Sequence, residues 1–328
     1  MNNEFRYFLT YNNAFVLCAI LFLFFAVTGG QNFLSGQNML NILRQIALDV
    51  PPALGLTFVL IASGGVDLSV GSVLAMSAAL TMGFQSHGIL LSIAAALVFG
   101  VVVGLTNGLL VSKGKVVPFI ATLGTGTVVH GILLTYTRQQ PIAGHDVSFT
   151  FWGAGSIGAI PVPVIIAIVM TCVSHIVLIY TQFGRNAFAA GGNRESAFLA
   201  GIGVDNTQCI AFIVSGCFAA IAGVLIASRL NSATVHLGAD TPLWSIAAAI
   251  MGGASMQGGK GSVIGTFIGV LSLGILLNGT NLLGVQTYLQ IGIKALILIG
   301  VVVVDAISIV NVRKNLELQA YGNRKKYS

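Results

Sequence analysis

ILLSIAAALVFGVVVGLTNGLLV, residues 89–111, runs its whole length without an Asp, Glu, Lys or Arg. About 20 such residues wound as a helix cross the hydrocarbon core of a bilayer, where the backbone must satisfy its own hydrogen bonds. A lipid-facing β-strand would alternate polar and apolar residues, and this run is continuous. Comparable runs fall at 14–28, 45–62, 70–85, 117–136, 161–180, 207–228, 242–255, 262–279 and 286–306. The expectation is an all-α transmembrane bundle of about ten spans, one transmembrane domain over residues 1–328. The third and eighth runs are short and flanked by glycine, which points to broken or re-entrant helices rather than simple crossings.

Composition agrees. Hydrophobic residues make up 55% of the 328 and charged residues 7%, with a mean hydropathy of +0.92, whereas a soluble domain carries about a quarter charged residues. With both termini placed in the cytoplasm, the inner segments hold Arg6, Lys113, Lys115, Arg185, Arg194, Lys260 and five basic residues of the tail 307–328. The outer segments hold only Arg44, Arg138 and Arg229, while Lys294 lies within the last span. This bias is the positive-inside rule, and it accounts for the net charge of +6 without invoking nucleic acid. Cys18, Cys172, Cys209 and Cys217 lie in apolar runs with no metal-site spacing, and read as small buried side chains. The first run follows Arg6 but lacks a small-x-small cleavage site, so it reads as an uncleaved span.

Two loops are long enough for structure of their own. The outer one, 137–160, carries Phe149, Phe151 and Trp152, which suit an interfacial or docking surface. The inner one, 181–206, carries both signs of charge and a short helix, with Asn193 as N-cap, Glu195 in its first turn and Gly201 past its end.

GGASMQGGKGS (252–262) resembles a phosphate-binding loop but fails it: Ala254 stands where the first glycine belongs, and Gly261 where the magnesium-binding hydroxyl belongs. It reads instead as a tight glycine turn that lets helices approach, with Lys260 at the inner interface. GGVDLSVGS (64–72) follows one span and precedes another in the same way, a faint internal echo. Its Asp67 either lines a path through a broken helix or caps a helix in an ordinary turn; both readings stand. Asp49, Asn107, Thr122, Thr125, Thr127, His130 and Asn278 are further polar groups at membrane depth, fit for helix–helix contacts or for a hydroxyl-rich solute. The five histidines are scattered and no nucleophile elbow occurs, which leaves a metal site or an intramembrane hydrolase without support.

Taken in order, GGVDLSVGS at 64–72, TNGLLVSKGKVVPFIATLGT at 106–125, TQFGRNAFAAGGNRESAFLAGI at 181–202, SGCFAAIAGVLIASRLNSA at 215–233 and the block 246–305 resemble the permease subunits of bacterial monosaccharide importers of the ATP-binding cassette class, the ribose and galactose type. The resemblance covers residues 35–306. It implies a multi-pass protein of the bacterial inner membrane, working as a homodimer or with a paralogue. It also implies a cytoplasmic ATPase holding ATP and magnesium, a periplasmic sugar-binding protein, and no cofactor in this chain. The FGR…GGN…A…GI pattern resembles the coupling element that docks into the ATPase, which assigns that role to Phe183, Gly184, Arg185, Gly192, Asn193, Ala197, Gly201 and Ile202, with Arg194 and Glu195 as contacts. Relatives often carry paired alanine where this chain has Ser196 and Ala197. The expected translocation path holds Asp67, Ser69, Asn107, Thr122, Thr125 and Asn278. The rival reading is a stand-alone carrier or channel for a small polar solute, but titratable groups are few in the spans.

Overall fold

The computed structural model describes residues 13–286, 288–290, 292–293, 295–297, 299–300 and 303. Its α-helices longer than a single turn are α1 (Asn13–Leu34), α2 (Gly36–Ser63), α3 (Val70–Gly83), α4 (Ile89–Ser112), α5 (Pro118–Thr137), α6 (Val162–Tyr180), α7 (Gln182–Gly192), α8 (Arg194–Leu199), α9 (Val204–Leu230), α10 (Thr241–Met251) and α11 (Val263–Leu282). Among the described residues seven are long and apolar enough to cross a membrane: α1, α2, α4, α5, α6, α9 and α11. The third and eighth expected spans, α3 and α10, have 14 and 11 residues. At about 1.5 Å per residue they reach about 21 and 16 Å, short of a hydrocarbon core of about 30 Å. Residues 288–290, 292–293 and 295–297 are helical, in the stretch where the tenth span was expected. Arg6, Lys294 and the tail 307–328 lie outside the described residues.

The second helix begins at Gly36 rather than at 45, because Ser35 caps it by accepting the Asn38 amide at 3.3 Å. It is the longest helix, with 28 residues, and runs through the middle of the bundle with Leu54, Leu56, Val59, Leu60 and Ile61 fully buried. Pro51 and Pro52 lie inside it, so two rungs of its hydrogen-bond ladder are missing at that level. The helices α6, α7, α9, α10 and α11 all pack against it.

The loops separate to two ends, as the alternation of spans requires. At one end Gln85 Oε1, after α3, accepts the amides of His145 and Asp146 at 2.5 and 3.1 Å. There β1 (Ile142–Ala143) pairs antiparallel with β4 (Ser232–Ala233), and the hairpin β2 (Ser156–Ile157)–β3 (Ile160–Pro161) reaches Arg44 through a 3.3 Å bond to Ser156. At the other end, loop 252–262 lies against α7 and against Gly64 at the end of α2, and Lys115 reaches Asp205. Phe149 departs from its expected place on the outer surface: it is fully buried and its carbonyl accepts the Ser228 hydroxyl, leaving Phe151 and Trp152 exposed. Cys172 departs as well, since it is exposed on α6; the other three cysteines are partly buried.

Leucine gains nothing by leaving lipid for another helix, so membrane helices associate where small residues let backbones meet. Gly100, Gly104 and Gly108 form such a seam on α4 against Gly216, Phe212 and Cys209 of α9. A methyl on Gly104 would collide with the Phe212 carbonyl and lie 2.8 Å from Ile213 Cα, whereas one on Gly131 of α5 would meet nothing within 4 Å. Gly104→Ala should therefore lower thermal stability in detergent by about 1–3 kcal/mol, the cost of overpacking, while Gly131→Ala leaves it unchanged or raised. Melting curves of the two purified variants check this.

Candidate functional site

Five of the six expected path residues come together. Asp67 sits in the turn between α2 and α3, 1% exposed. Its Oδ1 accepts the amide and hydroxyl of Ser69 at 3.0 and 2.6 Å, and its Oδ2 accepts the Ser215 hydroxyl of α9 at 2.8 Å. Asn107 of α4 donates to the Ser69 hydroxyl at 2.8 Å, and Thr125 of α5 donates to Asn107 Oδ1 at 2.5 Å. Thr122, also on α5, donates to the Pro118 carbonyl at 2.8 Å and accepts the Leu68 amide at 3.1 Å. The result is one buried hydrogen-bonded chain, Ser215–Asp67–Ser69–Asn107–Thr125, tying α9, the α2–α3 turn, α4 and α5 together.

Asn278 is not part of it. At the other end of the bundle it exchanges two hydrogen bonds with Asn38, at 2.9 and 2.8 Å, and joins α11 to the start of α2. Ser215 was not among the expected site residues; a lone serine in an apolar helix gives no signal until the fold brings it to a carboxylate.

The Asp67 carboxylate faces no cation among the described residues and is held by three neutral donors. A buried carboxylate is tolerated only when so bonded, and each donor orphaned by its loss costs about 1–3 kcal/mol. Its site is that of a brace, with its oxygens turned onto protein rather than a cavity.

The inner loop contains two helices where one was expected. Helix α7 opens with Thr181, whose hydroxyl accepts the Gly184 amide at 3.3 Å, and buries Gly184, Ala187 and Ala190. The 184, 187, 190 spacing of small residues is the local sequence signal for this helix. Phe183 stacks on Phe58 of α2 with ring centroids 6.1 Å apart, while Arg185 is exposed. Gly192 ends α7. Asn193 then caps α8, accepting the Ser196 amide at 2.9 Å, and Gly201 follows at φ 78°, both as expected.

Within α8, Ala197 is buried and Ile202, just beyond, is half-buried against it. Arg194 turns back onto the protein, to Gln208 at 2.8 Å and Asp205 at 2.5 Å, and Lys115 joins the same Asp205 oxygen at 2.9 Å. Glu195 stays exposed, beside Phe198 and Leu199 at 71% and 79% exposure. Two large apolar side chains thus project from a short, capped helix at the end of the bundle.

A third feature is the outer face of α5. Where α4 shows Leu91, Val98, Val102 and Leu105, α5 shows Gly124, Thr127, His130, Gly131 and Thr135 interleaved with Ile120, Leu123, Val128 and Ile132. The two threonine hydroxyls donate to carbonyls of their own helix and keep lone pairs free, and His130 makes no hydrogen bond to a described residue. Among the described residues no group of His, Cys, Asp or Glu is placed to hold a metal ion.

Comparison with known proteins matches residues 38–302 to the permease component of the branched-chain amino acid transport system. The chain belongs to this permease family. It is 42% identical over 278 residues to the ribose import permease protein of Bacillus subtilis, covering 84% of this chain and 86% of that one. It is 38% identical over 297 residues to the ribose import permease protein of Escherichia coli K12, covering 88% and 92%. With the D-allose transport system permease protein of the same organism it shares 34% over 294 residues, covering 89% and 90%. No solved structure matches it. The chain is thus a multi-pass membrane permease, and α7–α8, the Asp67 brace and the α5 face are parts of a transport machine.

Removing the brace should be felt in stability and graded by chemistry. Asp67→Ala orphans the Ser69 and Ser215 donors together, whereas Asp67→Asn keeps one carbonyl oxygen and an amide to which Ser215 can turn its lone pairs. Thermal melts in detergent should rank wild type above Asp67→Asn above Asp67→Ala, with a loss of about 2–5 kcal/mol for the last. Equal melting temperatures would remove the brace.

Proposed function

We propose that this chain is the membrane-spanning subunit of an importer for a neutral monosaccharide of the ribose type. A separate cytoplasmic ATPase, binding ATP and magnesium, drives it, and a periplasmic sugar-binding protein feeds it. The observation that carries this reading is the α7–α8 arm: a capped helix at the bundle's end offering Glu195, Phe198 and Leu199 to a partner, beside a groove bordered by Lys115, Arg194 and Asp205. Its Arg194 is engaged with Asp205 and Gln208, so docking falls chiefly to Phe198, Leu199 and Glu195. A central apolar anchor with a charged rim is the usual form of a protein interface.

The cargo class is supported by the relatives' names and by α5. An imidazole facing hydrocarbon is costly, and such groups face water or another protein surface instead. In a dimer the α5 faces of two copies line the path, with the Thr127 and Thr135 hydroxyls and His130 offering uncharged hydrogen bonds to a polyol. The branched-chain amino acids of the family description are zwitterions and would call for fixed opposite charges, which this face does not present.

Phe198→Asp combined with Leu199→Asp should leave the permease inserted but abolish co-purification of the ATPase and uptake of radiolabelled ribose in vesicles. Unchanged uptake, or ribose flux driven by an ion gradient with no ATPase, would overturn the reading. For the path, Thr127→Val with Thr135→Val should keep the ATPase bound and slow uptake about tenfold, a typical loss for two hydrogen bonds of about 0.7 kcal/mol each. Thr106→Val on the outward face of α4 should leave uptake at the wild-type rate.

A further inference from the structure

At the inner end of the bundle three segments meet backbone on backbone: the end of α2, the end of α7 and the turn 255–262 between α10 and α11. The Gly259 amide donates to the Ile61 carbonyl at 2.9 Å. A methyl on Gly191 would collide with that carbonyl and lie 2.7 Å from the Gly259 nitrogen; one on Gly258 would lie 2.6 Å from the Gly191 oxygen and 3.0 Å from the Gly64 nitrogen. One on Gly259 would lie 2.5 Å from Gly192 Cα, and one on Gly64 would lie 2.8 Å from the Gln257 carbonyl carbon. Gly64, Gly258 and Gly259 have φ of 64°, 84° and 68°, a region that disfavours any side chain. Within the turn Ser255 accepts the Gly258 amide through its carbonyl and donates its own amide to Lys260, both at 3.1 Å, so the turn is closed on itself.

A contact made of main chain alone has no rotamers to absorb a displacement. Beyond Asn193, α8 continues the arm and is held by Arg194, which pairs with Asp205 and donates to Gln208, and by Ala197, buried in one cluster with Ala190 of α7 and Val204. Resting on the reading that α7–α8 receives the ATPase, we infer that the turn 255–262 is a rigid transmission joint. It clamps the arm to the inner end of α2, so a push at Phe198 and Glu195 moves that end of α2 together with the adjoining ends of α10 and α11. Gly64, Gly191, Gly258 and Gly259 act here as positioning residues: they touch neither sugar nor nucleotide, and their smallness sets how faithfully motion passes.

The glycines themselves supply the test. A methyl on Gly192 would rest at an ordinary 4.0 Å from Gly259 Cα, so Gly192→Ala leaves the joint closed while Gly191→Ala forces it apart. In the assembled transporter, sugar imported per ATP hydrolysed should match wild type for Gly192→Ala. For Gly191→Ala it should fall about tenfold, within the usual range of coupling free energies between sites, although the ATPase stays bound and active. Wild-type coupling in Gly191→Ala would overturn the joint. Hydrogen exchange on the wild-type complex decides the matter if that variant does not insert, and it needs no knowledge of the cargo. The amides of Gly258 and Gly259, which donate to the Ser255 and Ile61 carbonyls, should exchange as slowly as those at the end of α2, with and without trapped nucleotide. Faster exchange in the turn alone when nucleotide binds would mean the joint opens, and the inference would fail. Failure of the wild-type protein to stimulate any ATPase would instead remove the proposed function, with the exchange comparison still reporting on the joint.

Discussion

Close approach of backbones is the constraint on which the rest of this structure depends. In water a bundle holds together by hiding leucine; in lipid that gain vanishes, and association must come from van der Waals contact and hydrogen bonds between helices. The chain meets this with glycine at two kinds of place. Along α4, Gly100, Gly104 and Gly108 bring the helix onto α9. At the inner end, Gly64, Gly191, Gly258 and Gly259 bring a turn, a helix end and the arm into one point. The first seam fixes the bundle, and the second fixes what touches it from outside.

Buried polar groups serve the same end in another way. The chain of hydrogen bonds from Ser215 to Thr125 crosses four elements and leaves none of its carboxylate oxygens without a donor. In a medium without water such a network has one satisfying arrangement, so it specifies how α3, α4, α5 and α9 sit relative to one another. The pair Asn38–Asn278 does the same between α2 and α11 at the opposite end.

Hydropathy made the spans legible because a bilayer imposes length and apolarity on any segment that crosses it. It even marked α3 and α10 as too short, through their flanking glycines. The α8 cap was legible too, since Asn193, Glu195 and Gly201 are local signals. Contacts between distant segments were not. Nothing near Asp67 announces Ser215, 148 residues away, and nothing in FGRNAFAAGG distinguishes a docked helix from a loop except a weak spacing of small residues. Arg194 was expected to face a partner because it is charged and in a loop; its turn toward Asp205 and Gln208 depends on where α9 begins. Polar residues at membrane depth divided into the buried, satisfied set around Asn107 and the open set on α5, a division that only packing decides.

The tandem Pro51–Pro52 gives α2 a further property. Two consecutive residues without an amide proton leave the carbonyls of Ala47 and Leu48 without their ladder partners, so a bend at that level strains about half as many hydrogen bonds as elsewhere in the helix. The level lies about 14 Å from Ile61 along the helix axis. The helix gripped at its inner end is therefore a jointed rod: its lower half can swing while its upper half, held to α11 through Asn38, stays at rest. Opening one side of the membrane while the other remains shut then asks for a flexure within a single helix, with no need to tilt the whole bundle.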